Sequence, residues 1–321
     1  MGVSTRIAVG FSELRTEIRE TSRPLFIDLW YPAVSTAPES LFPYQPGSVG
    51  AVSPQAAPAP GPAPLVVLSH GMRNSPRSYT WLAESLARCG LIVAGVSHYG
   101  GSPIYGAETV DPLAANRPWE PARDCSAALD FILAHPVFGG CADPARIGAV
   151  GHSSGGATVL ALAGAVFDPA AMEEYCRSID ARRDRGCPEP ASPAATRDGS
   201  AGSSLRDPRV KAVAVLDPSL GPGHSAGSLA RIKVPVRIVA TVEGDFLPFE
   251  HHAGRYARLI PGASLTPLAH GEGHFVFLDE CLGEEELAGV PVCRDRDGVR
   301  RAAAHARIAE VLARFFTGTL G

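Results

Sequence analysis

Short apolar runs recur along the chain at intervals filled by amphipathic stretches. The runs are LVVLS (65–69), LIVAGVS (91–97), RIGAV (146–150), VKAVAVLD (210–217) and VPVRIVAT (234–241), with SLTPLA (264–269) as a last candidate. Runs of this length, rich in β-branched residues and bounded by Gly or polar positions, predict strands buried on both faces. Between them the apolar period changes to that of a helix. Tyr79, Leu82, Ala83 and Leu86 share one stripe, and Gly90 closes that helix. Cys125, Ala128, Leu129, Ile132 and Leu133 form a second stripe behind Pro121, which fits a first helical turn. A third helix is expected in SGGATVLALAGAV (154–166), and a final one carries Ile308, Val311, Leu312, Phe315 and Phe316 inward. Strands alternating with helices predict an α/β fold with a mostly parallel sheet covered on both faces. RPLFIDLWYPA (23–33) reads as an additional strand, with a hairpin partner before it.

Two segments break this rhythm. Residues 34–64 are rich in Pro and Ala, end in PQAAPAPGPAP, and are expected to form a loop with partial polyproline character. Residues 167–208 are an insertion after the third of these helices. Its first half can be helical, and its second half, CPEPASPAATRDGSAGSS, has the composition of a mobile segment. Neither looks like a domain boundary, so one domain over residues 1–321 is expected.

Composition narrows the function. Apolar residues make up 45% and charged residues 19% of the chain, and 29 Lys and Arg against 33 Asp and Glu leave a net charge of -4. Basic residues are scattered among acidic ones, so nothing points to a nucleic-acid surface. No apolar stretch has the length of a membrane span, and the N-terminal stretch lacks a secretory pattern, so a cytoplasmic location is expected unless a leader has been removed. Seven cysteines are too widely spaced for a zinc motif. Cys176 with Cys187, and Cys281 with Cys293, bracket loops short enough to be bridged, but reduced thiols are expected in a cytosol.

The chemistry gathers at GHSSG (151–155), a Gly-x-Ser-x-Gly pattern placed between a strand and a helix. A nucleophile on so sharp a turn needs glycines beside it, and it presents the Ser153 hydroxyl above the sheet edge. The Ser154 amide would begin the helix and face a developing oxyanion, with the Met72 amide in SHGMRNSP as second donor. A serine needs a base and the base an orienting acid. His274, in the glycine-rich AHGEGHFVFLD, is the favoured base over His270. Asp245 is preferred as the acid because it follows the strand nearer His274, with Asp217 as the alternative. His70, His98 and His152 fall at strand ends beside the expected pocket, and Tyr99, Tyr105, Trp119 and Phe246 occur in its loops. His251 and His252 read as surface residues or helix caps.

DLWYPA, LVVLSHGMRNSP, GHSSGGATV, VKAVAVLDPSLG and LAHGEGHFVFLD follow one another in an order that resembles the α/β-hydrolase superfamily. Within it, the chain is similar to dienelactone-hydrolase-like and platelet-activating-factor acetylhydrolase-like proteins. The resemblance implies Ser153 as nucleophile, His274 as base, and the Met72 and Ser154 amides as oxyanion hole. It leaves the acid divided, since acetylhydrolase-like relatives use a position like Asp217 and dienelactone-hydrolase-like ones a position like Asp245. True dienelactone hydrolases carry a cysteine nucleophile, so Ser153 departs from them. The implied activity is hydrolysis of a small-molecule carboxylic ester without metal or organic cofactor. Amide, lactone or thioester cleavage, acyl transfer and a noncatalytic scaffold stand as alternatives.

Overall fold

In a computed structural model of the protein, which describes residues 7–34, 38–45, 48–114, 117–178, 180–187 and 202–321, the apolar runs assemble into one ten-stranded sheet. The strands are β1 (Val9–Ile18), β2 (Arg23–Pro32), β3 (Ser40–Gln45), β4 (Ser48–Pro54), β5 (Ala63–Ser69), β6 (Ile92–Ser97), β7 (Ala142–His152), β8 (Val210–Leu216), β9 (Val236–Thr241) and β10 (Ser264–Leu268). Their order is β10-β9-β8-β7-β5-β6-β2-β1-β4-β3. From β6 to β10 every pairing is parallel, with Val67 opposite Ala94 on one side and Ala149 on the other. The predicted hairpin is the antiparallel pair of β1 and β2. This is the α/β-hydrolase architecture.

Alternation along each strand sorts the core into two layers. Leu65, Val67, Ala149, Val213 and Val215 face α2 (Trp119–Ala134), α3 (Ser154–Ala163) and α6 (Ala253–Leu259). Val66, Leu68, Val150, Ala214 and Leu216 face α1 (Thr80–Arg88) and α7 (Arg301–Leu320). Both faces being covered explains why the central strands read as continuous apolar runs.

Helix α1 lacks a capping side chain of its own, since Tyr79 stands at its N-cap. Asp279 supplies the cap from a distance, its carboxylate accepting from the Thr80 and Trp81 amides at 3.0 and 3.1 Å. The turn at His274–Phe277, just before Asp279, is held the same way. Trp81 Nε1 donates to the Phe277 carbonyl at 2.9 Å and His305 Nε2 to the Val276 carbonyl at 2.7 Å. The two rings stack with centroids 4.0 Å apart.

Two expectations need correcting. Residues 34–64 are not a loop throughout, because β3 and β4 form a hairpin at the sheet edge. Phe42 and Tyr44, two apart and so on one face, each place a ring 5.0 Å from Phe11, and an edge strand tolerates Pro43. The cysteines expected as reduced thiols are instead bridged as Cys176–Cys187 and Cys281–Cys293, with Cα atoms 5.8 and 5.1 Å apart. Local turns bring each pair within disulfide reach. In the insertion, α4 (Pro169–Arg177) is capped by Asp168, whose Oδ1 accepts from Ala170 N at 2.9 Å. Most of the stretch expected to be mobile, residues 188–201, lies outside the described residues. Among the described residues no helix is long and apolar enough to cross a membrane.

Peptide mapping without reductant is expected to recover Cys176 linked to Cys187 and Cys281 to Cys293; unlinked peptides would contradict the pairing. Burial pushes the His305 ring down from 6.5 to about 4, so its stability contribution is complete above pH 6.5 and is lost as pH falls toward 4. Over that window, wild type should lose up to about 1.4 kcal/mol more stability per pH unit than His305→Asn in urea unfolding. Parallel pH slopes would show that His305 does not titrate on unfolding.

Candidate active site

At the junction of β7 and α3 the chain reverses so sharply that Ser153 takes φ 55° and ψ -120°. A non-glycine residue rarely adopts this region, and here neighbouring backbone enforces it. A β-carbon on Gly151 would lie 2.1 Å from the Gly155 carbonyl oxygen, and one on Gly155 would lie 2.1 Å from the Ser69 carbonyl oxygen. Only hydrogen fits at either position. Ser153 N donates to the Leu216 carbonyl at 2.9 Å, and its own carbonyl accepts from Ser219 N at 3.0 Å, which binds the turn to the loop after β8.

That loop carries the partner of His274. Asp217 follows the end of β8, with its amide donating to Val239 at 2.8 Å, and its Oδ2 accepts from His274 Nδ1 at 2.6 Å. The other oxygen accepts from the Thr241 amide and hydroxyl, both at 3.1 Å. A carboxylate only 3% exposed is thereby fully partnered, as burial of a charge demands. The preferred acid, Asp245, is not the ring partner. Its Oδ1 accepts from the His274 backbone amide at 2.8 Å, and its Oδ2 lies 3.4 Å from Arg296. Nearness in sequence misled here. Asp217 directly follows β8, the strand adjacent to β7 in the sheet, whereas Asp245 lies beyond the end of β9, where it meets the backbone of the base loop and Arg296. His270 is exposed.

Ser153 and His274 line one cavity of about 280 Å³, together with Met72, Ser154, His70, His98, His152 and Phe246. With Nδ1 engaged by Asp217, Nε2 of His274 is the ring nitrogen left for a hydroxyl. Among the described residues neither the Met72 nor the Ser154 amide donates to a protein acceptor, so two donors at the cavity wall are unclaimed. Phe246 stacks on His274 with centroids 4.8 Å apart and planes 10° apart. His70 donates from Nδ1 to the Gly71 carbonyl at 2.7 Å and accepts from His98 N at 3.1 Å at Nε2. Burial, reinforced by His98, holds that ring well below its ordinary pKa and therefore neutral. His98 in turn bridges Ser69 and Asp124 at 2.9 and 3.1 Å.

Three predicted pocket aromatics lie elsewhere. Tyr105 packs on Phe26 and donates its hydroxyl hydrogen to the Ser97 carbonyl at 2.8 Å; Tyr99 leans on Tyr105. Trp119 is buried at the start of α2, where its neighbours Pro118 and Pro121 take the cavity-facing positions. The structure adds Tyr79, Leu220, Phe275 and Leu287, and from the insertion Arg185, Gly186 and Cys187. Among the described residues no Asp or Glu lines the cavity. His252, expected at the surface, is 1% exposed. Its Nε2 donates to Asp184 of the insertion at 2.6 Å, and its Nδ1 accepts from Gly221 N at 3.2 Å. This pair and the Cys176–Cys187 bridge anchor the insertion as a wall of the cavity. Among the described residues no three His, Cys, Asp or Glu side chains gather as a metal site.

A strand-turn-helix serine, a buried His–Asp pair from later strand ends and a parallel sheet beneath them define a hydrolase scaffold. A profile of the alpha/beta hydrolase family matches residues 66–284, and the chain belongs to that family, which makes it a hydrolase by class. No curated protein sequence matches it significantly. Solved structures share the fold. A ferulic acid esterase from Streptomyces cinnamoneus aligns with TM-score 0.63 and 22% identity over 99% of this chain and 91% of its own. A dienelactone hydrolase from Anabaena variabilis gives 0.53 and 14% over 97% and 99%. A dienelactone-hydrolase-like promiscuous phosphotriesterase from metagenomic libraries gives 0.57 and 16% over 98% and 100%.

Gly155→Ala is expected to destabilise the protein by about 1–3 kcal/mol through forced backbone displacement. Gly140→Ala, where an added β-carbon meets nothing within 4 Å, serves as the control. Equal urea midpoints for the two variants would contradict the crowding.

Proposed function

We propose that the protein is a serine esterase that cleaves a carboxylic ester through an acyl-enzyme, with Ser153, His274 and Asp217 as its triad. The observation that carries this reading is the 2.6 Å contact of His274 with Asp217 beside a cavity that Ser153 shares. His274 takes the Ser153 proton at Nε2 while Oγ attacks the ester carbonyl, and the carbonyl oxygen becomes an anion. The Met72 and Ser154 amides point to the oxyanion hole, because they are the unclaimed donors next to Ser153. Each would stabilise that anion by about 3 kcal/mol. Collapse of the intermediate expels the alcohol, which receives the proton from His274. Water activated by the same ring then attacks the acyl-enzyme and frees the acid.

The cavity supports an ester of modest size with an apolar part, since Met72, Leu220, Phe246, Phe275 and Leu287 form much of its wall. The ferulic acid esterase among the fold neighbours agrees with an ester substrate. Asp245 acts as a tether for the base loop. The two disulfides favour maturation in an oxidising compartment over the cytosol expected from the sequence.

A fluorophosphonate is expected to add to Ser153, as read by intact mass and peptide mapping, and Ser153→Ala to abolish both the adduct and ester turnover. Asp217→Asn should lower kcat by about 10³- to 10⁴-fold, and Asp245→Asn far less. Loss of activity in Asp245→Asn with Asp217→Asn unaffected would reverse the assignment. An amide panel run beside the ester panel reports on the leaving group.

A further inference from the structure

His152 precedes the nucleophile and takes no part in the proton transfers above, yet every polar atom of its ring is engaged. The side chain is 3% exposed, with Nδ1 2.9 Å from the Tyr79 hydroxyl and Nε2 3.1 Å from the His274 carbonyl oxygen. The Tyr79 hydroxyl also lies 3.1 Å from the Gly71 amide nitrogen. Donor and acceptor roles follow without choice. The His274 carbonyl can only accept, so the neutral His152 ring holds its proton on Nε2, and the Gly71 N–H can only donate, so the phenol accepts there and gives its one hydrogen to His152 Nδ1. A single arrangement of protons satisfies all four residues.

We propose that Tyr79 and His152 are positioning residues that lock the oxyanion loop to the base loop through a directional relay, Gly71 to Tyr79 to His152 to His274. The proposal rests on the serine-esterase reading and adds to it the device that holds its two halves in register. At one end, Gly71 is gripped twice, its amide by Tyr79 and its carbonyl by His70 at 2.7 Å. The Met72 N–H belongs to the same planar peptide as that carbonyl, so fixing Gly71 aims the donor. At the other end, His274 is gripped three times: the ring by Asp217, the amide by Asp245 and the carbonyl by His152. The relay connects these grips through two buried side chains, one of them on the residue just before Ser153.

The relay also survives the reaction cycle. Burial and the adjacent His274 hold the His152 ring well below its ordinary pKa, so it stays neutral beside the imidazolium that forms 4.6 Å away. A second proton on His152 would put hydrogen on Nδ1 and break the bond from Tyr79.

The test uses p-nitrophenyl ester turnover and the rate of fluorophosphonate labelling of Ser153 on the full chain, with folding checked by circular dichroism. Tyr79→Phe removes one oxygen atom and keeps the ring. It and His152→Leu are expected to lower kcat and the labelling rate by about ten- to hundred-fold with KM within about two-fold of wild type. His152→Gln can accept from Tyr79 through Oε1 and donate to the His274 carbonyl through Nε2, so it is expected to recover most of the rate lost in His152→Leu. Because both residues serve one connection, the double variant Tyr79→Phe/His152→Leu should be no slower than the slower single. Tyr79→Phe with wild-type kcat and labelling rate, or losses that multiply in the double variant, would overturn the relay while leaving the esterase reading intact. Wild-type protein that turns over esters without labelling at Ser153 would overturn the serine mechanism on which the relay rests. Tyr79→Phe and His152→Gln carry the test if His152→Leu does not fold.

Discussion

The first turn of helix α3 meets the end of strand β5 so closely that the Ser69 carbonyl occupies the space any side chain at position 155 would need. This contact sets the height of Ser153 above the sheet and forces its backbone into the left-handed region. It also brings the residues after Ser69 alongside the nucleophile, so that Met72 and Ser154 share a cavity wall although separate strands deliver them. The parallel order of β5, β7, β8 and β9 does the rest, because each strand releases its following loop at the same edge.

The buried polar groups closest to the nucleophile are partnered. Asp217, His70, His152 and His274 are each nearly inaccessible; the first three have their side-chain polar atoms committed to named neighbours, and His274 keeps only Nε2 open toward the cavity. In a low-dielectric interior, unmatched groups would be expensive and matched ones resist reorientation. The two carboxylates near His274 divide the work: one holds the ring and the other the backbone.

The central strands and helices were legible because burial on both faces leaves an apolar run, and burial on one face leaves a stripe. Ser153 was legible for a related reason, since the glycines required by crowding are themselves a sequence signal. What stayed hidden depends on contacts between distant positions. Asp217 and Asp245 are equivalent as strand-end carboxylates, and only the sheet order separates a ring contact from a backbone one. His252 carries no mark of its bond to Asp184. Tyr99 and Tyr105 follow β6 and Trp119 opens α2, but their rings pack on other residues or sink into the core. The β3–β4 hairpin was masked by proline, although Phe42 and Tyr44 had the spacing of a strand face.

The Cys176–Cys187 bridge has a consequence for how the molecule is completed. Neither cysteine belongs to the two large apolar clusters that hold the sheet and its main helices, whereas Cys187 is part of the cavity wall. The two apolar clusters thus hold the sheet and its helices without contact from this bridge, which instead closes a short loop of the cavity wall. The scaffold answers to water, and one wall of the chamber to the redox state of its surroundings.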